Sequence, residues 1–343
     1  MIVPDSYCWT NPYVNGWIHH FYGLHFRNIY GTRILNEAQF RGLLAGPEQP
    51  EIMLKWCFDS DRAAMVSLCR EHGINVAFSE DGFFPHYSTL HVDPLGFCWE
   101  SSITRTAFRG AADRQRTRAQ AARTEWLKRP EKEIPAEVKA PFVLWPLQLV
   151  GDQVNHWDLR VKDWCDLLKH FRGELPAEFQ LVLKKHPLTS DKDLLGLDEL
   201  VKQLPNTVLL PKEASLAALL RASRAVAGVN SSVLYEARLM HYKPTYCYGR
   251  SWFTNHTDLF LPVLRQDKRP LPRLDWLEDP KRMRTAWLDD YTDWFLAQLL
   301  ARQFSHDLGK HQPAEFKKKV WRLSWQSYRE HGEAIFDEEG RPG

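Results

Sequence analysis

"LVLKKHPL" at 181–188 begins as an apolar run typical of a buried β-strand and then turns into two lysines, a histidine and a proline. Pro187 cannot continue a central strand and biases His186 towards an extended conformation, so the strand is predicted to end here. Either the lysines are simply solvated where the chain leaves the sheet, or the cluster binds an anion. The second interpretation is open because ligands bind at the strand ends of open α/β sheets.

The sequence on both sides of this stretch alternates between strand and helix patterns. Such alternation predicts a parallel sheet with helices on both faces, a doubly wound α/β unit. The predicted strands are 141–148, 179–187, 207–211, 225–230 and 243–249, and the predicted helices between them are 158–171, 198–205, 215–223 and 231–242.

The first hundred residues show the same rhythm, with a strand at 51–58, a helix at 61–73 and a strand at 74–82. A second parallel sheet is therefore expected. Residues 103–133 are rich in Lys and Arg and predict an exposed helical segment leading into a linker. This segment is either a solvated helix or an electropositive wall that faces an anionic acceptor or lipid headgroups.

We therefore predict an N-terminal α/β domain with a basic helical linker at 1–140, and a C-terminal doubly wound α/β domain at 141–269. Helices at 270–343 are expected to pack back on the N-terminal domain. The run "FKKKVWRLSWQSYR" (316–329) is basic and aromatic, with Trp321 and Trp325 predicted on one helical face. It predicts either docking on an anionic membrane surface or a helix packed on the first domain.

Composition limits the function classes. A length of 343 residues is enough for two domains, and a net charge of +2 does not suggest a general nucleic-acid binder. Aromatic residues make up 13% of the chain, which is typical either of proteins that handle sugars or of aromatic-rich cores. The six cysteines show no CxxC pair and no zinc spacing, and the sequence shows no signal peptide or apolar run long enough to span a membrane. A cytoplasmic protein is expected.

Several familiar motifs are missing from the sequence. It contains no GxGxxG after a strand, no GxxxxGK[ST] and no GxSxG, which argues against dinucleotide, P-loop and nucleophile-elbow sites. Asp59 and Asp61 form a "DSD" that could bind a metal ion, but a cap for the helix that follows is the simpler interpretation. No metal or cofactor is expected.

"AGVNSSVLYEA" (227–237) is the strongest local signal. A strand ends at Asn230 and a helix begins at Ser231 or Ser232, so free N–H groups and the positive end of the helix dipole can meet a phosphate. Glu236 lies one turn further along, within reach of ribose hydroxyls. An ordinary N-cap is the alternative, but two donor-rich strand ends in one sheet favour a nucleotide-phosphate pocket with Lys184 and His186.

Two carboxylates also follow predicted strands. Gln148 and Asp152 come after the first strand of the second half, and Glu80 and Asp81 come after a strand of the first half. If the two domains face each other across a cleft, one acid from each can flank a reacting carbon, as glycosyl transfer requires. The alternative is that these acids are turn or cap residues.

Four segments resemble the capsule-polysaccharide biosynthesis group, in particular its retaining β-Kdo glycosyltransferases, where Kdo is 3-deoxy-D-manno-oct-2-ulosonic acid. They are "PLQLVGDQ", "KKHP", "LLPKEASLAALLRASRAVAGVNSSVLYEARLMHYKPTYCYG" and "EDGFFPHYSTLHVDPLGFCWESS". The resemblance extends over about 80–250 and departs from the family pattern at Gly151 and in the aromatic loop after Glu80. It implies a GT-B-like α/β fold of two Rossmann-like domains facing across a cleft, with an acceptor-side domain at 1–140 and a nucleotide-sugar-binding domain at 141–269. It also implies a CMP-Kdo donor.

The resemblance also implies roles for individual residues. Asp152 becomes the nucleophile or oxocarbenium stabiliser, Glu80 the acid/base, and Gln148 a residue that orients the site. The expected donor-binding residues are Lys184, His186, Asn230, Ser231, Ser232 and Glu236. A CMP-sugar carries a single phosphodiester charge. A helix N-terminus, a histidine and a lysine can stabilise the departing CMP without a metal ion.

The sequence thus predicts a cytoplasmic, metal-independent glycosyltransferase that moves Kdo, or a related 2-keto sugar acid, from CMP-Kdo to a glycan or lipid-linked glycan acceptor. The expected context is capsule or lipopolysaccharide O-antigen synthesis, with peripheral contact at the inner face of the inner membrane and no nucleic-acid partner. Two alternatives stay open. One is a UDP-sugar-dependent GT-B transferase or epimerase, and the other is a catalytically inactive glycan- or nucleotide-binding module of a polysaccharide assembly complex.

Overall fold

The computed structural model describes twelve segments of the chain, residues 2–4, 33–35, 37–46, 52–56, 62–85, 88–96, 98–130, 133–149, 164–189, 196–263, 271–273 and 275–336. The chain divides into two compact units. Unit 1 combines residues 1–106 with 298–343, and unit 2 comprises residues 107–297. These boundaries differ from the predicted ones at 140 and 269, because the basic segment belongs to unit 2 and the C-terminal region divides at 297/298.

Helices occupy both units. In unit 1 they are Glu37–Leu44, Arg62–Glu71, His306–His311, Pro313–Arg322 and Trp325–His331. In unit 2 they are Asp113–Leu127, Trp164–Glu174, Leu197–Gln203, Leu216–Ala222, Ser232–His241 and Asp275–Glu278. Helix Ala286–Ala301 contains the boundary, and short 3₁₀ turns lie at Cys98–Glu100, Ser102–Arg105, Pro280–Met283 and Gly332–Phe336.

The sheet of unit 1 is mixed rather than wholly parallel. Its strands are β1 (Ile2–Pro4), β2 (Arg33–Leu35), β3 (Ile52–Trp56), β4 (Asn75–Asp81), β5 (Thr89–Asp93) and, from the C-terminal region, Gln303–Ser305. The first four run parallel, whereas β5 is antiparallel to β4 and Gln303–Ser305 is antiparallel to β5. The connection from β4 to β5 is too short for a crossover helix, so the prediction of a parallel sheet is wrong at this edge.

The two faces of β4 bury different kinds of side chain. Val76 and Phe78 pack with Val66 and Cys69 of helix Arg62–Glu71 in a hydrophobic cluster. Asn75 lies on the other face, since side chains alternate along a strand, and its amide Nδ2 donates to Ser324 Oγ at 2.5 Å. The C-terminal residues of the chain therefore complete the unit built by the first hundred.

The basic aromatic run at 316–329 does not form one helix. It is divided between Pro313–Arg322 and Trp325–His331, so Trp321 and Trp325 lie on different helices and the prediction of a shared face is wrong. Asn75 Oδ1 accepts from Gln326 N at 2.9 Å, and the Arg70 guanidinium lies 4.6 Å from the centre of the Trp325 ring. In the structure this segment therefore packs on unit 1.

Unit 2 holds a sheet in which every pairing between described strands is parallel. The strands are β6 (Phe142–Pro146), β7 (Gln180–Lys184), β8 (Thr207–Leu210), β9 (Ala225–Gly228), β10 (Thr245–Cys247) and β11 (Leu261–Pro262). Their spatial order is β8-β7-β6-β9-β10-β11, the doubly wound Rossmann order. The prediction of a doubly wound α/β unit in this half is confirmed.

The centre of this sheet is covered on both faces. All five residues of β6 and of β7 are buried, as expected for parallel strands between two helical layers. Aromatic side chains fill much of the core, and Trp252 and Phe260 both pack against Phe295 of helix Ala286–Ala301. Core packing therefore accounts for a large part of the aromatic content.

The basic segment at 103–133, which was predicted to be exposed, is held to unit 2 by hydrogen bonds and ion pairs of its arginine side chains. In helix Asp113–Leu127, Arg123 is buried, with Nη2 at 2.9 Å from Asp293 Oδ1 and Nε donating to the Leu239 carbonyl at 2.8 Å. Arg116 Nε donates to Asp290 at 2.8 Å. The segment is helical as predicted, but it is not a freely solvated linker.

Within the described part of the chain, no helix combines the length and apolar character needed to cross a membrane.

Candidate functional site

The switch point of the unit 2 sheet lies between β6 and β9, where the strand order reverses. Ligands of doubly wound proteins bind outside the carboxyl ends of the strands at this point. Gln148 lies two residues after β6, and Asn230 lies two residues after β9. Gln148 Nε2 donates to Asn230 Oδ1 at 2.7 Å, and Gln148 Oε1 accepts from Asn230 N at 3.2 Å. The structure thus joins two predicted site residues and fixes the orientation of the Gln148 amide.

The helix after β9 begins where the sequence predicted. Ser231 is the N-cap, with φ −59° and ψ 144°, and its Oγ accepts from Val233 N at 3.3 Å. Ser232 is the first helical residue and is half-buried. Among the described residues, neither its hydroxyl nor its backbone N–H has a hydrogen-bond partner. Both donors lie at the positive end of the helix dipole, where an anion is stabilised.

Lys184, the last residue of β7, is buried and uses its ammonium within the protein. Nζ donates to the carbonyl oxygens of Lys185 at 3.0 Å and Lys212 at 3.1 Å. Burial lowers the pKa of Lys184, while the charge of Glu213 acts in the opposite direction. The ammonium therefore ties the loop after β7 to the loop after β8 and adds positive charge near the strand ends. Its contact with a donor phosphate stays a prediction.

His186 is oriented by its own loop. Its Nδ1 is 3.1 Å from Leu188 N, whose N–H donates to it, so a neutral His186 ring carries its proton on Nε2. The side chain is half-buried. The neutral ring therefore presents an N–H donor, the group that binding a phosphate oxygen requires.

Glu236, on the second turn of the helix, accepts a hydrogen bond from Trp126 and feels the charge of Arg129, two residues that the sequence did not single out. Its Oε1 accepts from the indole Nε1 of Trp126 at 2.9 Å, and the Arg129 guanidinium lies 3.2 Å from the centre of the Trp126 ring. Burial raises the pKa of Glu236, whereas the Trp126 hydrogen bond and the Arg129 charge lower it. The only sequence signal for these partners was the basic, aromatic character of "TEWLKR", which names no contact.

The structure describes only one of the two predicted catalytic acids. Asp152 lies outside the described residues. Glu80 is described in unit 1, but it lies within β4 rather than after it. It is paired with His91 across the strands, while Asp81 is paired with Leu90, so the two acids lie on opposite faces of the sheet.

Asp81, at the end of β4, has a strongly altered pKa. Burial raises the pKa of Asp81 to about 7, and its Oδ1 is buried without a hydrogen-bond partner among the described residues. The sequence shows Asp81 next to Glu80, but only Glu80 was predicted to take part in catalysis. Strand alternation was the signal that could have separated the two acids.

A glycine is required at position 82, where the chain turns from β4 into β5. Its N–H donates to the Thr89 carbonyl at 2.7 Å, and a Cβ at this position would lie 2.8 Å from the carbonyl carbon of Thr89. Only glycine permits β4 and β5 to approach this closely where the chain reverses.

The "DSD" acids Asp59 and Asp61 lie outside the described residues. Within the segments that the structure describes, no group of three or more His, Cys, Asp or Glu side chains could hold a metal ion.

Comparison with known proteins agrees with this architecture. Residues 108–257 match the family described as capsule polysaccharide biosynthesis protein. The matched range includes every predicted donor-binding residue, and the resemblance to the capsule-polysaccharide group is confirmed. No curated protein sequence matches the chain.

Two solved structures from Thermosulfurimonas dismutans are similar to the chain. KpsC, β Kdo 2,7 transferase, is 18% identical with a TM-score of 0.52, over 81% of this chain and 88% of that one. KpsC, β Kdo 2,4 transferase, is 17% identical with a TM-score of 0.49, over 74% and 84%. At such identities the first match bears on the fold alone. The predicted fold class, GT-B-like with two Rossmann-like α/β domains, is confirmed.

Proposed function

Because residues 108–257 carry the capsule polysaccharide biosynthesis domain, we propose that the protein is a retaining glycosyltransferase of capsule or lipopolysaccharide O-antigen synthesis. It transfers Kdo, or a related 2-keto sugar acid, from CMP-Kdo to a glycan or lipid-linked glycan acceptor. The observation that carries this proposal is the Gln148–Asn230 pair at the switch point, next to the unpartnered donors of Ser232.

The geometry of these residues suits the phosphodiester of a CMP-sugar. Ser232 offers its N–H and hydroxyl at a helix N-terminus, and the Nε2–H of His186 supplies a further donor. Lys184 adds positive charge while its ammonium remains bonded to two carbonyls. These groups match the single negative charge of the donor's phosphodiester. They can also stabilise the second charge that develops on CMP as it leaves, without a divalent cation.

The proposed reaction has two displacements at the anomeric carbon. The carboxylate of Asp152 attacks that carbon, and the bond to the phosphate oxygen breaks with its electron pair leaving on CMP. Glu80 then removes the proton of the acceptor hydroxyl, whose oxygen displaces Asp152 and restores the original configuration.

Thermal-shift measurements with CMP, UDP, GDP and ADP test the donor. CMP is expected to raise the melting temperature most, since a ligand at about 100 times its Kd adds about 2.7 kcal/mol to the native state. A shift with UDP and none with CMP would favour the UDP-sugar transferase or epimerase instead. CMP binding without release of CMP from CMP-Kdo in the presence of glycan acceptors would favour the inactive binding module.

We further propose that the enzyme acts in the cytoplasm, at the inner face of the inner membrane. The support is local, since Trp321 is 40% exposed and Lys318 is exposed on the same helix, Pro313–Arg322. An exposed indole near lysines suits the interface of an anionic membrane.

A further inference from the structure

A cavity of about 550 Å³ lies at the amino edge of the unit 2 sheet. Pro141 comes directly before β6, Arg224 directly before β9, and Lys243 shortly before β10, and all three line the cavity. Parallel strands have all their amino ends at one edge, and strands of four or five residues are about 15 Å long. The sheet therefore separates this cavity from Gln148 and Asn230, and it is not part of the donor site described above.

The lining is strongly basic. It includes Arg224, Lys243, Lys281 and Arg284, and none of the described lining residues is acidic. Arg284 is paired with Asp289 through distances of 2.9 to 3.2 Å. In the described segments no carboxylate pairs with Arg224 or with Lys281, so these two charges are not compensated.

Basic residues near helix C-termini often have a structural role, because they bind the last carbonyls and oppose the helix dipole. Lys243 has this role, since its Nζ donates to the carbonyls of Arg221 and Ser223 at 2.8 and 2.7 Å. No such bond is made by the Arg224 or Lys281 side chain to the described residues. Helix capping therefore accounts for Lys243 and leaves Arg224 and Lys281 without a structural reason.

Two further lining residues, His241 and Tyr242, lie beside the basic groups. The pKa of His241 is lowered to about 4, first by burial and then by the charges of Lys243 and Arg221. The Tyr242 ring holds Arg284 in place, with the guanidinium 3.8 Å from the ring centre. Arg284 therefore lines the cavity in a position held by Tyr242 and Asp289.

We propose that this cavity is a second ligand site, which binds a small phosphorylated molecule carrying two or more negative charges through Arg224 and Lys281. Guanidinium and ammonium groups are the usual partners of phosphate oxygens, and the volume suits a ligand larger than a single phosphate. The site is independent of the proposed transferase activity, because it needs neither the donor nor the switch-point residues.

Calorimetric titration of the full chain with inorganic pyrophosphate at low ionic strength tests the site. The double variant Arg224→Gln/Lys281→Gln is expected to bind pyrophosphate at least tenfold more weakly than the wild type. Lys169→Gln is the matched control, because it removes one positive charge from an exposed position of the same unit outside the cavity lining. It is expected to keep wild-type affinity. Ser232→Ala, at the other edge of the sheet, shows whether pyrophosphate binds at the donor site instead.

Circular dichroism checks that the double variant is folded. If it is not, the single variant Lys281→Gln replaces it in the titration, because Lys281 is exposed and its substitution does not disturb the core. Absence of pyrophosphate binding by the wild type overturns the proposal. So does unchanged affinity in the folded double or single variant, or a loss of affinity that appears in Ser232→Ala instead. Citrate binding as tightly as pyrophosphate, with the same dependence on Arg224 and Lys281, would overturn the assignment to phosphate.

Discussion

Gln148 and Asn230 are joined by two hydrogen bonds, from Gln148 Nε2 to Asn230 Oδ1 at 2.7 Å and from Asn230 N to Gln148 Oε1 at 3.2 Å. They are 82 residues apart in the chain, and each follows a strand that flanks the switch point. The pair fixes the residue directly before the N-cap Ser231. Any ligand at this helix N-terminus therefore binds to a loop that is already positioned.

Replacing Gln148 with Ala should affect both stability and nucleotide binding. Loss of the two hydrogen bonds is expected to lower the free energy of unfolding by about 1–2 kcal/mol. CMP affinity should fall as well, because Asn230 and the start of helix Ser232–His241 lose their anchor. Urea denaturation and calorimetric titration measure the two effects.

Gln203→Ala is the control for this experiment. Gln203 is exposed at the end of helix Leu197–Gln203, and we expect a change within about 0.5 kcal/mol and unaltered CMP affinity. Equal effects of the two substitutions would show that the Gln148–Asn230 pair does not position the site.

Asp93→Asn should strongly destabilise unit 1. The Asp93 carboxylate accepts hydrogen bonds from Ser101 Oγ at 2.6 Å and Ser102 Oγ at 2.7 Å, and lies 3.8 Å from the buried Arg302 guanidinium. Its loss leaves a buried positive charge uncompensated, which costs about 3–5 kcal/mol. The free energy of unfolding in guanidinium chloride measures this loss.

Asp113→Asn removes the same charge from an exposed ion pair with Arg116, and its effect should stay below about 1 kcal/mol. A loss for Asp93→Asn no larger than that of Asp113→Asn would mean that Arg302 is not held by Asp93.

The stability of the protein should depend on His91 between pH 6.5 and about pH 4. Burial, with a smaller contribution from Arg302, lowers the pKa of His91 from 6.5 to about 4, against the opposite influence of Asp93. The unfolded chain therefore binds a proton in this window that the folded chain does not, and stability falls as the pH falls. The slope for one such proton is at most about 1.4 kcal/mol per pH unit.

His91→Gln should remove this part of the slope. Asp81 and His241 also titrate abnormally, but they are present in both proteins, and their contributions cancel in the comparison. Free energies of unfolding measured from pH 7 to pH 4 should converge for the two proteins as the pH falls. Parallel curves would refute a neutral, buried His91.

Asp152→Asn should lower turnover by several orders of magnitude and leave CMP binding nearly unchanged, because an amide cannot act as the anionic nucleophile. With Glu80→Gln, breakdown of the intermediate should slow, and intact-protein mass spectrometry should show one added sugar mass. Loss of turnover without this adduct would leave Asp152 as an electrostatic stabiliser of a single-step transfer.

Asp81→Asn is the comparison for Glu80→Gln, since the two acids are adjacent but lie on opposite faces of β4. We expect Glu80→Gln to reduce turnover far more than Asp81→Asn. The reverse result would transfer the acid/base role to Asp81, whose pKa is already raised to about 7 by burial.

Turnover of CMP-Kdo should survive chelation with EDTA, because the proposed site meets a single phosphodiester charge with helix and side-chain donors rather than a cation. Loss of activity on EDTA treatment and its recovery with Mg²⁺ would instead make Asp59 and Asp61 metal ligands.

The amino-acid sequence by itself determined the alternation of strands and helices and the approximate positions of their ends. The predicted strand at 51–58 is observed at Ile52–Trp56, and the predicted helix at 231–242 is observed at Ser232–His241. These features depend on the spacing of apolar residues and on capping residues a few positions away. The identities of neighbouring residues therefore suffice to predict them.

Only the tertiary structure decided which of these elements meet and what each charged side chain does. Lysines and arginines look alike in a sequence, yet Lys184 bonds to the Lys212 carbonyl, Arg123 pairs with Asp293 across 170 residues, and Arg224 has no described acidic partner. For the same reason, the predicted domain boundaries at 140 and 269 differ from those of the structure, and the predicted single helix at 316–329 is divided into two. A side chain's partner depends on surfaces brought together by the packing of the whole unit, and no local pattern encodes that contact.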